Sequence, residues 1–280
     1  MNKTIIRLTA ITILIVAIVS MLHFYTTNKN HRKNSFIRLL PSHMLTKMQA
    51  IDIKYNSYYI AGLTNDHIYL GNYTSPENIL ISNYELTDTQ QIIYKLSNKN
   101  KLVSKDIKIE IDSPTIYITD NIHSDIFFGD LDSKKIFSFK AKSNNIESAF
   151  VSPTSIIFRT YDTIHSQSII GRQNLYSSEV KMHIDILEKQ IDGLFCTDGM
   201  IIINRNPFSA VYVYYYRNQF ILLDTNLNIL SRFNTIDTNS TAKIKIGKSS
   251  ENQTTLLEPP LIVNHRSCSD GNFLYINSSL

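Results

Sequence analysis

The ten residues Ile111–Asp120 read IDSPTIYITD and contain the pattern that decides the fold. An apolar residue is followed by a Ser-Pro turn and then by a run of β-branched and aromatic residues, which favour strands. Four other stretches repeat this order: Leu63–Asn72 (LTNDHIYLGN), Val151–Thr160 (VSPTSIIFRT), Cys196–Arg205 (CTDGMIIINR) and Cys268–Asn277 (CSDGNFLYIN). Their first residues lie 48, 40, 45 and 72 positions apart. The pattern therefore predicts a repeated unit that opens with a β-hairpin.

A second landmark recurs in step with the first. Each of the first four units contains another pair of apolar runs separated by a polar turn, as in Ile126–Phe139 (IFFGDLDSKKIFSF). These turns fall near Glu85, Asp130, Asn174 and Asp224, at spacings of 45, 44 and 50 residues. Two hairpins in each unit predict a four-stranded antiparallel meander, and a period of roughly 40–50 residues is typical of a β-propeller blade.

The pattern resembles that of β-propeller repeat proteins, especially six-bladed ones of the NHL or TolB-like kind, over about Asp52–Leu280. The Trp-Asp dipeptide of WD40 repeats is absent, since the chain has no Trp. The resemblance implies a fold and no functional residue. The expected fold class is thus all-β, with about five visible blades after an N-terminal transmembrane helix. A β-sandwich is the alternative, because evenly spaced strands suit that fold too.

The fifth unit has its first hairpin and then the sequence stops at Leu280. An open ring leaves unpaired strand edges, which proteins usually avoid. Either Ile51–Lys54 (IDIK) supplies a missing outer strand, or the chain is a truncated form of a longer protein, and the second interpretation is favoured. The polar stretch Asp237–Pro260 accounts for the long fourth spacing and is expected to be an insertion, in which Lys243–Ile246 could form a strand.

The expected domains are residues 1–35, a membrane anchor with a basic flank, and residues 36–280, the propeller-like domain. Leu8–Tyr25 has no charged side chain, and a spanning helix needs about 20 mostly apolar residues. We expect the bilayer to be contacted by residues 5–25, and the domain to lie outside the cytoplasm, in a periplasm or at a cell surface. A cleaved signal peptide is the alternative, although no small-residue cleavage site follows the apolar run.

The positive net charge of +4 comes from the N-terminal region. Residues 1–38 contain six Lys or Arg and no acidic residue, so the rest of the chain has 22 basic against 24 acidic side chains. This balance offers no basic face for nucleic acid, and a nucleic-acid partner is not expected. A membrane protein or another extracytoplasmic protein remains the expected kind of partner.

Candidate binding residues are sparse. Two histidines follow repeat strands at similar offsets and, with one turn aspartate, could share a rim of the propeller: His123, His165 and Asp130. The run VYVYYYR offers aromatic side chains and a guanidinium of the kind common at binding surfaces: Tyr212, Tyr214, Tyr216 and Arg217. Solvated loop histidines and ordinary half-buried strand tyrosines explain the same residues. The turn aspartates Asp66, Asp198 and Asp270 are explained by turn chemistry.

Cys196 and Cys268 both occur as Cys-(Thr/Ser)-Asp-Gly, in equivalent places of units four and five. Neighbouring blades usually hold equivalent positions too far apart for a disulfide, which needs Cα atoms within about 7 Å. Two buried thiols are expected, and a disulfide between Cys196 and Cys268 is the alternative in an oxidising compartment.

Known catalytic patterns are missing from the sequence: a Gly-rich phosphate loop, GxSxG, HExxH and an EF-hand loop. Nothing therefore requires an enzyme, a metal or a cofactor. The leading hypothesis is a membrane-anchored, non-enzymatic binding or scaffolding module with an unknown ligand. The alternatives are an enzyme or redox accessory with a site on the propeller rim, and a structural subunit of a membrane complex.

Overall fold

The structure, a computed structural model, describes residues 3–30, 49–94, 107–120, 125–133, 135–142, 146–177, 179–205, 208–250 and 253–278. The candidate residue His123 lies outside these ranges. Within them the chain forms one helix, α1 (Lys3–Asn30), and twenty strands. The strands, in chain order, are β1 (Tyr58–Leu63), β2 (His67–Asn72), β3 (Asn78–Asn83), β4 (Thr89–Ile93), β5 (Ile107–Asp112), β6 (Thr115–Asp120), β7 (Asp125–Asp130), β8 (Ile136–Lys140), β9 (Glu147–Ser152), β10 (Ser155–Asp162), β11 (Gln167–Asn174), β12 (Val180–His183), β13 (Gly199–Arg205), β14 (Phe208–Tyr214), β15 (Gln219–Leu223), β16 (Ile229–Asn234), β17 (Ile246–Lys248), β18 (Thr254–Leu256), β19 (Asn264–Ser269) and β20 (Leu274–Ser278).

The first sixteen strands form four antiparallel sheets of four strands each, here called blades 1 to 4. In every blade each strand pairs with the next strand in the sequence. The sheets are arranged in a ring like a β-propeller, so the predicted fold class is confirmed. The sandwich alternative is wrong, because the strands are divided among separate small sheets. All four predicted second-hairpin turns fall between the third and fourth strands of a blade.

Apolar side chains shared by neighbouring blades form the core. One cluster contains residues of blades 1 and 2, a second joins blades 2 and 3, and a third joins blades 3 and 4. In β6, Ile116 and Ile118 belong to the first cluster, whereas Tyr117 between them belongs to the second. Successive side chains of a strand point to opposite faces, so a strand between two blades must be apolar on both. This requirement explains why the second strands read as continuous apolar runs.

The first strands of the blades face one another around the ring. β1 packs against β5, and β9 packs against β13. The hairpin β19–β20 continues the series, since β19 packs against β13 and β14. This hairpin corresponds to the start of the predicted fifth unit.

The fourth unit departs from the prediction by one strand. The unit at Cys196–Arg205 was predicted to open with a hairpin, but the residues before Gly199 form bends and turns, and β13 begins at Gly199 as the first strand of its blade. The cause is Asp192, whose carboxylate accepts hydrogen bonds from the N–H groups of Phe195 and Cys196 at 2.9 and 2.7 Å. This capping satisfies the local backbone and replaces strand pairing.

The region expected as an insertion contains the hairpin β17–β18. The strand expected at Lys243–Ile246 begins at Ile246 instead. Ahead of it, Ala242 and Ile244 are buried against Cys196. This segment therefore covers the turns that precede blade 4.

Among the described residues, α1 is the one helix long and apolar enough to cross a membrane, with its candidate span at Arg7–Tyr25. The side chains of residues 7–25 are exposed in the structure. The length and composition of α1 support a membrane-spanning helix, and a signal sequence would meet the same criteria.

Substitution of Gly62 tests the packing of blade 1 on blade 2. A Cβ at Gly62 would lie 2.2 Å from the backbone oxygen of Ile111, so one of the two blades must shift. We expect Gly62→Ala to destabilise the protein by about 1–3 kcal/mol, measured as a lower midpoint of thermal unfolding by circular dichroism.

The matched control is Gly247→Ala, where the atoms nearest to the added methyl belong to the Leu257 side chain and not to backbone. Its midpoint should stay close to that of the wild type. Equal losses in the two variants would contradict a specific role for the Gly62–Ile111 approach.

Candidate functional site

A cavity of about 540 Å³ lies among the first strands of the ring. We call it the central cavity. Its walls come from all four blades, and its lining residues are Tyr59, Ile60, Ala61, Tyr73, Ile107, Lys108, Ile109, Glu110, Ile146, Glu147, Arg159, Gly199 and Tyr215. Charged side chains thus enter a cleft whose remaining walls are aliphatic and tyrosine side chains, a combination typical of ligand sites.

Glu147 is the first residue of β9 and faces this cavity. Its Oε1 accepts a hydrogen bond from the N–H of Ile201 in β13 at 3.1 Å, which links blade 3 to blade 4. Burial raises the pKa of Glu147 to about 7, although the Ile201 N–H and the charges of Arg159 and Lys108 act in the opposite direction. At neutral pH this carboxyl group is therefore close to the midpoint of its titration.

Arg159 lies directly opposite Glu147 in the β9–β10 pairing. Its Nη2 forms an ion pair with Asp198 Oδ1 at 2.6 Å, and the arginine side chain is only 6% exposed. Among the described residues, its Nε has no hydrogen-bond partner. Asp198 also accepts the N–H of Gly199 at 2.9 Å. Burial raises the pKa of Asp198, while Arg159 and the Gly199 N–H oppose that shift.

Lys108 supplies the second cationic group of the cavity. Its Nζ lies 2.6 Å from Glu110 Oε1 on the same face of β5. The Glu110 carboxylate raises the pKa of Lys108, so the lysine stays charged. Arg205 at the end of β13 lies 2.9 Å from Asp112 and 3.6 Å from Glu110, joining the first strands of blades 2 and 4.

Tyrosine side chains form the aromatic part of the wall. The rings of Tyr59 and Tyr73 lie 4.3 Å apart, and the Tyr59 hydroxyl accepts the N–H of Ile109 at 2.8 Å. Burial raises the pKa of Tyr59 to about 12. Burial, together with Glu147 and Asp198, also raises the pKa of Tyr215 to about 12. Both hydroxyls are therefore neutral donors at physiological pH.

The predicted rim residues are not brought together by the structure where it describes them. His165 is exposed, and its Nδ1 lies 2.5 Å from Asp162 Oδ2 within one turn. Asp130 is the last residue of β7, and the Ser133 N–H in the following turn donates to its carboxylate at 2.6 Å and lowers its pKa. Each residue thus has a local structural contact. The part of the chain that the structure describes contains no cluster of His, Cys, Asp and Glu suited to a metal.

Tyr212 and Tyr214 lie in the core instead of on a binding surface. The Tyr212 hydroxyl donates to Thr197 O at 2.6 Å, and the Tyr214 hydroxyl accepts the Glu188 N–H at 3.2 Å. Arg217 is buried, with its Cζ 3.6 Å from the centroid of the Tyr214 ring. Tyr216 is partly buried and packs beside Cys196, Ala242 and Ile244. Blade 3 covers the face of β14 that carries Tyr212 and Tyr214, and β19 also packs against this strand, so these tyrosines are not accessible.

Cys196 and Cys268 are both free cysteines. The expected burial holds for Cys196, whereas Cys268 is exposed. The alternative of a disulfide is not realised in the structure. The two residues are not equivalent, because Cys196 precedes blade 4 in a turn and Cys268 lies within β19.

Sequence reasoning missed the charged residues of the central cavity, although two signals were available. Arg159 interrupts the apolar run of β10, and a lone charge in a buried strand calls for a partner. Lys108 and Glu110 alternate with Ile107, Ile109 and Ile111, which indicates one charged and one apolar face. From sequence alone, a charged face on a first strand indicates exposure to solvent. Only the ring arrangement of the blades shows that this face lines a cavity.

Comparisons with known proteins concern the fold. No protein-family model matches the sequence, and no curated protein matches it. Among solved structures, the chain is similar to a nidogen/laminin complex (12% identity, 79% of this chain and 73% of that chain, TM-score 0.46). It is also similar to a DUF4221 family member from Bacteroides vulgatus (16% identity, 66% of this chain and 61% of that chain, TM-score 0.45). A third similar structure is apo AztD from Citrobacter koseri (11% identity, 66% of this chain and 49% of that chain, TM-score 0.40). The chain thus spans less than two thirds of the last two structures, and no functional residue is carried over.

The titration of Glu147 makes stability depend on pH. Its pKa rises from an ordinary 4.5 to about 7 on folding, so the folded state holds the proton more tightly. The stabilisation that protonation gives is complete below about pH 4.5 and is lost as the pH rises to about 7. Glu147→Gln keeps an acceptor for Ile201 N–H and carries no charge. Relative to wild type, it should gain about 2–3 kcal/mol in unfolding free energy between about pH 4.5 and pH 8.

Urea denaturation of both proteins at several pH values measures this difference. Glu179→Gln is the control, because Glu179 is an exposed residue just before β12. A Glu147→Gln difference that stays constant with pH would show that the carboxyl group titrates normally in the folded protein.

Proposed function

We propose that this chain is a membrane-anchored, extracytoplasmic β-propeller that acts as a non-enzymatic binding module, with the central cavity as its ligand site. The observation that carries the proposal is the convergence of Lys108 and Glu110 from blade 2 with Glu147 and Arg159 from blade 3 on one cleft. Arg159 is buried and Glu147 is partly buried, and charged groups cost free energy when they are removed from water. A ligand that uses these groups explains their position in the cleft.

Binding is favoured over catalysis by the pairing of the charges. Lys108 and Arg159 are each held at 2.6 Å by a carboxylate, which suits recognition and leaves neither as a free nucleophile or base. The cavity volume of about 540 Å³ suits a small molecule or a short segment of a polymer. We also propose that the chain is related to six-bladed propellers of the NHL or TolB-like kind.

Anchoring is supported by the length and apolar composition of α1. We propose that residues 5–25 lie in the bilayer, as an uncleaved anchor, and that the propeller lies on the extracytoplasmic side. A short basic N-terminus followed by an apolar run is the usual export signal.

Obstruction of the cavity tests the binding function. Ile60 lines the cavity and is 66% exposed, so Ile60→Trp fills space without disturbing the core. Leu63→Trp on the same strand is the matched control, since Leu63 is also exposed and does not line the cavity. In a thermal-shift screen of small polar metabolites, ligands should raise the unfolding midpoint of wild type and Leu63→Trp by a few degrees, and that of Ile60→Trp by much less.

A screen in which every stabilising compound acts equally on Ile60→Trp would place binding elsewhere. A screen without any stabilising compound would count against a small-molecule function. Either result would favour the remaining hypotheses, a scaffold for proteins or a structural subunit.

The exposed thiol of Cys268 tests the membrane topology. Cys196 is buried, so a membrane-impermeant maleimide should label the folded protein at Cys268. We expect labelling of intact cells that express the full chain, with any outer membrane permeabilised, and no labelling of Cys268→Ser. Labelling that requires rupture of the inner membrane would place the domain in the cytoplasm. The mass of the labelled product shows whether α1 is retained.

A further inference from the structure

We infer that the central cavity binds a ligand with one cationic group, an ammonium or guanidinium, and that Glu147 is its counter-ion. This inference rests on the proposed function, because it names the chemical class of ligand for the same cavity. It starts from the pairing of the charges: among the described residues, Glu147 is the cavity carboxylate without an ion pair within 4 Å.

The other charges of the site are already matched. Lys108 is paired with Glu110, and Arg159 is paired with Asp198, each at 2.6 Å. Ionised Glu147 would therefore give the cavity a net charge of about −1. A cationic ligand restores neutrality, whereas an anionic ligand would have to displace a carboxylate from Lys108 or Arg159. The Nε of Arg159 has no hydrogen-bond partner among the described residues, and one acceptor oxygen, such as a hydroxyl of the ligand, would satisfy it.

The walls fit the same class of ligand. Tyr59, Tyr73 and Tyr215 line the same cavity as Glu147, and Tyr215 interacts electrostatically with the Glu147 carboxyl group. The faces of tyrosine rings attract cations, and this attraction strengthens where water is excluded. A cation held near Glu147 would thus have both a counter-ion and an aromatic surface.

Binding in this form is coupled to proton release. The charged groups that act on Glu147 are Arg159 from β10, Lys108 from β5 and Asp198 before β13, and Tyr215 lies beside it after β14. The free carboxyl group is partly protonated near neutrality, as its pKa of about 7 indicates. When the cation binds, the Glu147 proton passes to solvent and the carboxylate remains. Affinity should therefore fall as the pH decreases through this range.

The test compares three aromatic probes of similar size and different charge: benzylamine, benzyl alcohol and benzoate. Isothermal titration calorimetry of the full chain in detergent, with protein-free micelles as the blank, measures each affinity. We expect benzylamine to bind about tenfold or more tightly than the other two. Its affinity should weaken by roughly tenfold from about pH 8 to about pH 6, a range in which benzylamine stays protonated.

Glu147→Gln should reduce the affinity for benzylamine to that for benzyl alcohol and remove the pH dependence. Glu179→Gln, which changes an exposed carboxylate outside the cavity, should behave as wild type. Unchanged benzylamine binding in Glu147→Gln would overturn the assignment of the counter-ion.

The outcomes separate this inference from the proposed function. If benzoate or benzyl alcohol binds most tightly and Ile60→Trp abolishes that binding, the cavity is a ligand site and the cationic class is wrong. If none of the three probes binds at millimolar concentration, the inference falls and the cavity loses its support as a small-molecule site.

Discussion

The packing of blade against blade is the interaction on which the rest of the structure depends. Each blade is a small sheet that would be unstable alone, because it has two apolar faces and little core of its own. Neighbouring blades cover these faces, and the three clusters between successive blades contain most of the buried aliphatic side chains. The close approach of Gly62 to Ile111 shows how little space separates two blades where the first strands meet.

The same ring arrangement creates the site. First strands pack against their neighbours on one side and cannot fill the space around the axis, so their other side chains surround a cavity. In β5 this division appears as buried isoleucines that alternate with Lys108 and Glu110. Glu147 shows the electrostatic result, because the sheets around it exclude water without providing an ion pair. Its hydrogen bond to Ile201 also connects two blades, so the site and the ring share a structural element.

The repeat could be predicted from sequence because its signals are local. Turns near Asp130 and Asn174 are set by residues within a few positions, and the apolar runs on either side define the strands. Local signals failed where two turns competed: Cys196–Arg205 resembles the other units, but Asp192 caps the turn before Gly199 and moves the blade by one strand. The central cavity could not be predicted, since its charged residues come from different blades and form a site only when the blades are packed together.

The strand order within the blades affects how the protein folds. Every strand of blades 1 to 4 pairs with a strand adjacent to it in the sequence, so each sheet is made from one uninterrupted piece of chain. Loop closure within a blade involves short segments, and its entropic cost is correspondingly small. The blades can thus form in the order in which they are synthesised, each using the previous blade as a surface on which to assemble. The chain would acquire its native contacts progressively, from blade 1 onward.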